Sequence, residues 1–439
     1  MKKTDLDSLV QTDRIHKSVY TDQSIFDLEM ERIFGQTWIY VGHESQVKNP
    51  GDFFCTRIGK QPVVLTRHKD NKIHVLFNRC GHRGAMVLRE ETGNASTFNC
   101  CYHDWQFDTD GSLLSVPLRN GYPADFCLDD PEKGMKSVAR VDHYRGFIFA
   151  NLAPDGPALE EHLGYITTSF DDLIDRAPDG EVEVAGGTAR HAYNGNWKLY
   201  LENLCDGLHP NSVHRSSIES ARAQDDQVYS NGAGEIAVRQ MRQNGAPYAF
   251  WENQVGLWAY PNGHAYLGDF HDDEKLIATL EDPYFKDYLK AMREVHGEKR
   301  TRDILSVGRW NTNVFPNVSF MSQFRQLRVI QPISVDRTIV LGFCFRLKGA
   351  PEQMFRDTIH FANITNAVAS PVLTDDLETY ARIKLGLSSD GTEWIPMARE
   401  IGKDKPDGHG GWMAANGTSE LHIRNAFRTW KNLMNTAPQ

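Results

Sequence analysis

The first periodic run of hydrophobic residues lies at 25–34, where Phe26, Met30, Ile33 and Phe34 recur at the spacing of one helical face. Asp22 and Ser24 stand just ahead of it as candidate caps, so a helix is predicted there. From Trp38 the texture changes. Runs such as FFCTRI, PVVLTRH, KIHVLFN, STFNCCYH and WQFDTDG cluster or alternate β-favouring residues, and HKDNK and DTDGS read as hairpin turns. This pattern lasts until Phe147-Ile148-Phe149-Ala150. It predicts a helical segment over 1–39 and a small all-β module over 40–155. Beyond Pro154-Asp155-Gly156-Pro157, LEEHLGYITTSFDDLIDR reads as helix, EVEVAGGTARHAYNG as strands and NWKLYLENLCDGLH as helix. Residues 318–349 carry two or three strands of a larger antiparallel sheet, and 352–385 are helical again. ELHIRNAFRTWKNLM closes the chain with an amphipathic helix that places Ile423, Ala426, Phe427, Trp430, Leu433 and Met434 on one face. The glycine-rich stretch 407–417 reads as a loop. Residues 156–439 are therefore expected to form a second domain that mixes helices with a sheet.

Composition narrows the class. The chain has 439 residues, of which 40% are hydrophobic and 24% charged, the profile of a globular protein of two to three domains. There are 58 acidic residues against 48 lysines and arginines, a formal net charge of −10. That balance argues against a nucleic-acid partner, which needs a basic face. No apolar run is long enough to span a membrane, and the two lysines near the start have no apolar core behind them, so neither a membrane span nor a secretory signal is expected. Seven cysteines are too few for a disulfide scaffold and suit a reducing cytoplasm.

The positions of those cysteines carry the chemistry. Cys80-Gly81-His82 is followed, 17 residues later, by Cys100-Cys101-Tyr102-His103. Each segment offers one thiolate and one imidazole from a tight loop. Two such loops facing each other make a four-ligand pocket, suited to tetrahedral zinc or to a [2Fe–2S] cluster with both thiolates on one iron and both imidazoles on the other. The mixed composition of each loop favours the cluster, because zinc fingers usually keep Cys–Cys and His–His together. Gly81 and Gly84 allow backbone N–H groups to approach bridging sulfides, and Tyr102 and Trp105 are placed to shield the centre. NRCGHRGAMV and NCCYHDWQF resemble Rieske proteins. The usual second Rieske loop has proline after its first cysteine and glycine after its histidine. Cys101 and Asp104 stand there instead, and Asp104 adds charge that lowers the expected potential. No spare cysteine in the first loop can pair with Cys101, so a free thiol is expected.

A second constellation lies in NWKLYLENLCDGLHPNSVH, which contains Glu202, Asn203, Asp206, His209 and His214. Histidines five apart on a straight helix diverge by about 140°. Pro210 disfavours helix at His209, so a bend between the two imidazoles is expected. Two histidines and a carboxylate form the facial triad of non-haem Fe(II) oxygenases.

Together the two constellations resemble the large (α) subunit of Rieske-type aromatic-ring-hydroxylating oxygenases. The family pattern Glu/Asp-x3-Asp-x2-His-x4-His is matched by Glu202, Asp206, His209 and His214. VYTDQSIFDLEMERIFGQTWIYVGHESQ and PVLTDDLETYARIKLG extend the resemblance over nearly the whole chain, nearest in texture to the benzoate, toluate and anthranilate dioxygenase branch. The resemblance implies an α+β protein, with an all-β Rieske domain inserted in a catalytic domain built on a central antiparallel sheet flanked by helices. It implies that Cys80, His82, Cys100 and His103 hold the cluster. It implies that His209, His214 and Asp376 hold iron, with Asp375 as the fallback for the third ligand. It maps Asp206 to a bridge between His103 of a neighbouring chain and His209, places Asn203 near the open iron position, and makes Glu202 a structural or gating acid. Cys205 is expected to be a buried, inert thiol.

No dinucleotide-binding fingerprint follows a strand, so electrons from NAD(P)H are expected to arrive through a separate flavin and iron–sulfur reductase. The implied reaction uses O2 to hydroxylate an aromatic ring, as a cis-dihydroxylation. Monooxygenation, such as aryloxyacetate cleavage or salicylate-type hydroxylation, is the alternative. Arg328, in a strand four residues before Pro332, is a candidate for a substrate carboxylate, since some relatives acting on aromatic acids carry an arginine at this place. A homotrimer, or an α3β3 assembly with a small β subunit, is the implied state. A Rieske electron carrier is the reading from another class, and it needs only the β module. A zinc-stabilised binding protein is the third.

Overall fold

Most short alternating runs in the front third of the chain pair with their sequence neighbours. Asp52–Ile58, Gln61–Arg67 and Ile73–Phe77 pair in sequence order, and Thr92–Asn94 adds to the outer side of the first. Phe98–Asn99, Gln106–Phe107 and Leu113–Ser115 form a second small sheet. Arg140–Tyr144 and Phe147–Asn151 make a hairpin that returns to Ile39–His43. All of these pairings are antiparallel, as alternation with tight turns requires. Asn71 and Gly111 take positive φ in the two predicted hairpin turns. A core of Phe53, Val64, Leu76, Phe98, Trp105 and Phe107 fills the module and also encloses Cys80 and Cys100.

This computed structural model describes residues 6–224, 233–270 and 273–436. It divides into two compact units, one of residues 29–159 and the other of residues up to 28 together with 160–436.

The second unit is organised by a nine-stranded antiparallel sheet among the described residues. It starts at Val182–Tyr193 and runs through Arg337–Leu347, Gln326–Ser334, Val318–Met321 and Arg309–Val314 to Ala265–Asp269 and Val255–Ala259. Trp412–Ala414, from the glycine-rich stretch 407–417 expected to be a loop, adds the next strand, and Lys405–Pro406 just before that stretch forms the edge. That stretch has too few alternating residues to announce a strand, and its pairing with Val255–Ala259 supplies the missing register. Glu352–Thr365 and Leu373–Leu387 are helices, and the closing helix Leu421–Asn435 buries Leu421, Phe427, Trp430 and Met434. The first helix begins where the cap signal lies: the Asp22 carboxylate accepts from the backbone N–H and hydroxyl of Ser24.

Candidate active site

The two Cys/His loops of the first unit are built alike. In the first, the Cys80 N–H donates to the Ala85 carbonyl at 2.8 Å and the Gly84 N–H donates to the Cys80 carbonyl at 3.0 Å. In the second, Cys100 N–H donates to Trp105 at 2.9 Å and Asp104 N–H donates to Cys100 at 3.0 Å. The fourth residue after each cysteine is left-handed, with φ +76° at Gly84 and +52° at Asp104. The equivalence explains the glycine usual at the second place; aspartate is among the few other residues that enter this region.

Gly81 is required by a different constraint. A Cβ there would lie 2.3 Å from the Lys133 carbonyl oxygen. Asn78 clamps the first loop from beneath: its Oδ1 accepts from the Val87 and Leu88 N–H groups at 3.1 and 2.9 Å. Sequence reasoning missed this role because asparagine alone carries no ligand signal.

The loops bring thiol to thiol and imidazole to imidazole. Cys80 and Cys100 are buried neighbours, and the His82 and His103 rings are 4.7 Å apart. Burial pushes the Cys80 thiol up, while the His82 and Arg83 N–H groups pull the other way by favouring the thiolate. Burial, then His103, holds His82 below its ordinary value, in the neutral form that ligates metal. The Nδ1 of His82 is buried without a hydrogen-bond partner. The His82 ring stacks on Trp105 at 4.7 Å, and Trp105 Nε1 donates to the Tyr122 hydroxyl. This segregated donor set suits a [2Fe–2S] cluster with unlike irons better than one tetrahedral ion. Cys101 is exposed, and all seven cysteines are free.

The second site is assembled from two distant segments. Helix Lys198–Leu204 stops at Cys205, and the Asp206 carboxylate accepts from the Leu208 and His209 N–H groups in the turn that follows. The bend therefore comes before His209 rather than at it. His209 has helical φ and ψ despite preceding a proline, because Pro210 opens the short helix Pro210–Val213 at its first position. His209 and His214 then turn their Nε2 atoms toward Asp376, from helix Leu373–Leu387, at 3.8 and 3.5 Å from its Oδ1. One ligand atom from each of the three residues lies within 4.8 Å of the others.

The rear nitrogens face other acids. His209 Nδ1 is 3.8 Å from Asp206 Oδ2, and His214 Nδ1 is 3.7 Å from Asp375 Oδ2. The adjacent aspartates thus occupy different places, with Asp376 among the converging atoms and Asp375 behind one ring. Asn203 Nδ2 lies 3.2 Å from His209 Nε2 and 3.1 Å from Asp376 Oδ1, so an amide N–H meets the lone pairs a cation would take. The set of two imidazoles and one carboxylate suits ferrous iron.

Burial opposes charge throughout this site, and neighbours decide the balance. Burial would raise Asp206, but His209 beside it brings it down to about 2. Burial lifts Asp376 to about 6 against the pull of His209, Asn203 and Arg328. His214 is pushed down to about 4, chiefly by burial.

The triad borders a cavity of ≈ 360 Å³ within the second unit. Arg328 lines it from strand Gln326–Ser334. Its two terminal nitrogens both donate to the Asn311 Oδ1, at 3.2 and 3.1 Å, and its Nε is buried without a partner. No described carboxylate forms an ion pair with it. Asn203 and Asp206 also line the cavity, whereas Glu202 does not. The Glu202 carboxyl accepts from the Tyr20 hydroxyl at 2.9 Å and burial pushes it up to about 8. Cys205 is fully buried and its thiol is raised to about 12 by that burial. Asn311 was not foreseen, since its pairing with Arg328 crosses from one strand to another.

A Rieske-like module, together with an α+β unit carrying two histidines and a carboxylate at a cavity, defines a multicomponent iron oxygenase. Residues 37–126 match the family described as Rieske [2Fe-2S] domain, and residues 179–432 match the catalytic domain of the ring hydroxylating alpha subunit. The chain is 33% identical to the 2-halobenzoate 1,2-dioxygenase large subunit of Burkholderia cepacia, over 88% of this chain and 80% of that protein. It is 34% identical to the toluate 1,2-dioxygenase subunit alpha of Pseudomonas putida, over 92% of this chain and 86% of that one. A solved naphthalene 1,2-dioxygenase with indole in its active site shares the fold, with a TM-score of 0.81 at 23% identity, covering 98% of this chain and 94% of that one. The chain belongs to the alpha subunits of ring-hydroxylating dioxygenases. It is an oxidoreductase, the terminal oxygenase component, with a Rieske [2Fe–2S] cluster, a mononuclear iron and a separate reductase. No helix among the described residues is long and apolar enough to cross a membrane.

Proposed function

We propose that this oxygenase hydroxylates aromatic carboxylic acids and that Arg328 holds the substrate carboxylate. One observation carries the reading. A guanidinium is buried in the wall of the cavity that meets the triad, and its only hydrogen-bond partner among the described residues is a neutral amide oxygen. Burying an unpaired cation costs several kcal/mol, so a counter-charge supplied by a ligand is the economical arrangement. A carboxylate offers two oxygens in the plane of the guanidinium fork. The halobenzoate, toluate and anthranilate specificities in the names of similar proteins agree with an acid.

In this reading Cys80, His82, Cys100 and His103 hold the cluster, and His209, His214 and Asp376 hold iron. When bound, the cluster passes single electrons and the iron provides the site where dioxygen is activated for cis-dihydroxylation. The chain's own groups prepare that site. Arg328 fixes the acid end of the arene and so selects which ring edge is offered. Asp206 and Asp375 hold the rear nitrogens of His209 and His214, which keeps both Nε2 lone pairs turned inward. Asn203 donates an amide N–H beside the two ligand atoms. Asp206 also serves as the bridge to the neighbouring copy's His103, in a homotrimer or an α3β3 assembly. Glu202 acts structurally, tying the site helix to Tyr20. A flavin and iron–sulfur reductase delivers electrons from NAD(P)H. The seven free thiols suit a cytoplasmic setting.

Arg328→Gln tests the reading. Benzoate affinity is expected to fall about tenfold or more, as for loss of a charge-assisted pair, with both metal contents unchanged. Unchanged affinity would remove the carboxylate role.

A further inference from the structure

The cavity that meets the triad carries a second arginine that the reading above does not use. Arg325 ends the turn between strands Val318–Met321 and Gln326–Ser334, with φ +54°. Two bonds fix it there. Its Nε donates to Thr358 Oγ1 at 2.6 Å, and its carbonyl accepts the Phe345 N–H at 2.8 Å. Like Arg328, it lines the cavity and forms no ion pair with any described carboxylate. The charged groups around it are already committed. Arg176 is held by Asp172 at 2.8 Å, and Asp357 accepts from the Tyr284 hydroxyl and from Gln353 Nε2 at 2.9 Å.

The two arginines line one cavity from different anchors, Arg325 on Thr358 and Arg328 on Asn311. Burial acts first on each. The ionisable groups that act next on Arg325 are Tyr284, Tyr288, Arg176 and Asp357. Those acting on Arg328 are Tyr200, Tyr380, Cys205 and Asp376. Arg325 closes the turn that leads into strand Gln326–Ser334, and Arg328 stands in that strand three positions on. Phe285, Met321 and Phe324 supply apolar lining to the same cavity, and Phe324 is held flat against Phe361 at 4.1 Å.

We propose that the substrate is an arene bearing two acidic groups, of which a benzene dicarboxylate is the simplest, with one carboxylate on Arg328 and the second on Arg325. This rests on the assignment of Arg328 above. A monoacid satisfies one cation and leaves the other facing an uncharged ring. A diacid satisfies both, and the pair of contacts fixes the ring's rotation as well as its position.

Calorimetric titration of the purified holoprotein with benzoate, benzene-1,3-dicarboxylate and benzene-1,4-dicarboxylate at constant ionic strength tests this. At least one dicarboxylate is expected to bind about tenfold more tightly than benzoate. Arg325→Asn keeps a residue that tolerates a left-handed backbone and removes the charge. It is expected to bring the dicarboxylate down to the benzoate level while benzoate itself stays within about twofold. Arg325→Lys is expected to restore part of the gain. Arg328→Gln is expected to weaken benzoate and dicarboxylates alike. The proposal is overturned if benzoate matches every dicarboxylate on the unmodified protein, or if Arg325→Asn weakens benzoate as much as the dicarboxylate with the thermal midpoint unchanged. It is also overturned if Arg325→Asn leaves the dicarboxylate advantage intact. If Arg328→Gln changes no acid's affinity, the Arg328 assignment fails and this inference falls with it, a pattern distinct from failure at Arg325 alone.

Discussion

The two Cys/His loops and the His–His–Asp triad gather their candidate ligands by opposite means. Each loop is local: six residues close on themselves through two backbone hydrogen bonds, and the loop repeats with the same geometry at Cys80 and at Cys100. The triad is not local. Its histidines follow a broken helix, and Asp376 arrives from a helix far along the chain. Backbone supplies the order in the first case, and acids behind the rings supply it in the second. A local site is thus vulnerable through glycine and φ, and a dispersed site through carboxylates.

The sharpest test of this contrast is Asp376→Ala. Loss of the third ligand is expected to empty the iron site and abolish turnover, while the two cluster irons and the visible colour remain. Loss of the cluster as well would make the two sites one cooperative structure. Asp206→Ala comes next. It is expected to keep cluster and iron yet lower turnover on the order of 100-fold, because the acid orients and links rather than ligates. Retained turnover would remove the proposed route between subunits. Gly81→Ala should act on the other side. With a Cβ placed 2.3 Å from the Lys133 oxygen, the first loop must shift. About 2–4 kcal/mol of stability and most of the cluster absorbance are expected to go, with iron at the triad unaffected. The smallest effect is expected for Asp104→Gly, which makes the two loops match at the left-handed position. A gain of about 1 kcal/mol and a rise in cluster potential of some tens of millivolts are expected from calorimetry and redox titration.

The same contrast explains what could be read in advance. The candidate cluster ligands were legible because their spacing and loop residues lie in one stretch of sequence. His209 and His214 were legible as a pair, but a bend was expected between their imidazoles, whereas the helix breaks before His209. Proline after a residue disfavours helix only within a helix, and Asp206 had already ended that helix with its own carboxylate. Asp376 was reached by family resemblance, since no short-range pattern ties it to histidines in another segment. Which of Asp375 and Asp376 faces inward depends on the helix's rotation against the site, and composition does not carry that. The lack of an anionic partner for Arg328 and Arg325 among the described residues was likewise invisible, because it is a property of what the fold leaves out of reach.

The fork of Arg328 on Asn311 bears on how this cavity could be retargeted. A change to an uncharged substrate that replaced the arginine alone would strand a buried amide oxygen; replacing the asparagine alone would strand a buried cation. Each single step is worse than either endpoint, so the two positions form a ratchet that would preserve the proposed preference for acids. Laboratory evolution toward hydrocarbon arenes should therefore start from a paired library at 311 and 328 rather than from either site alone.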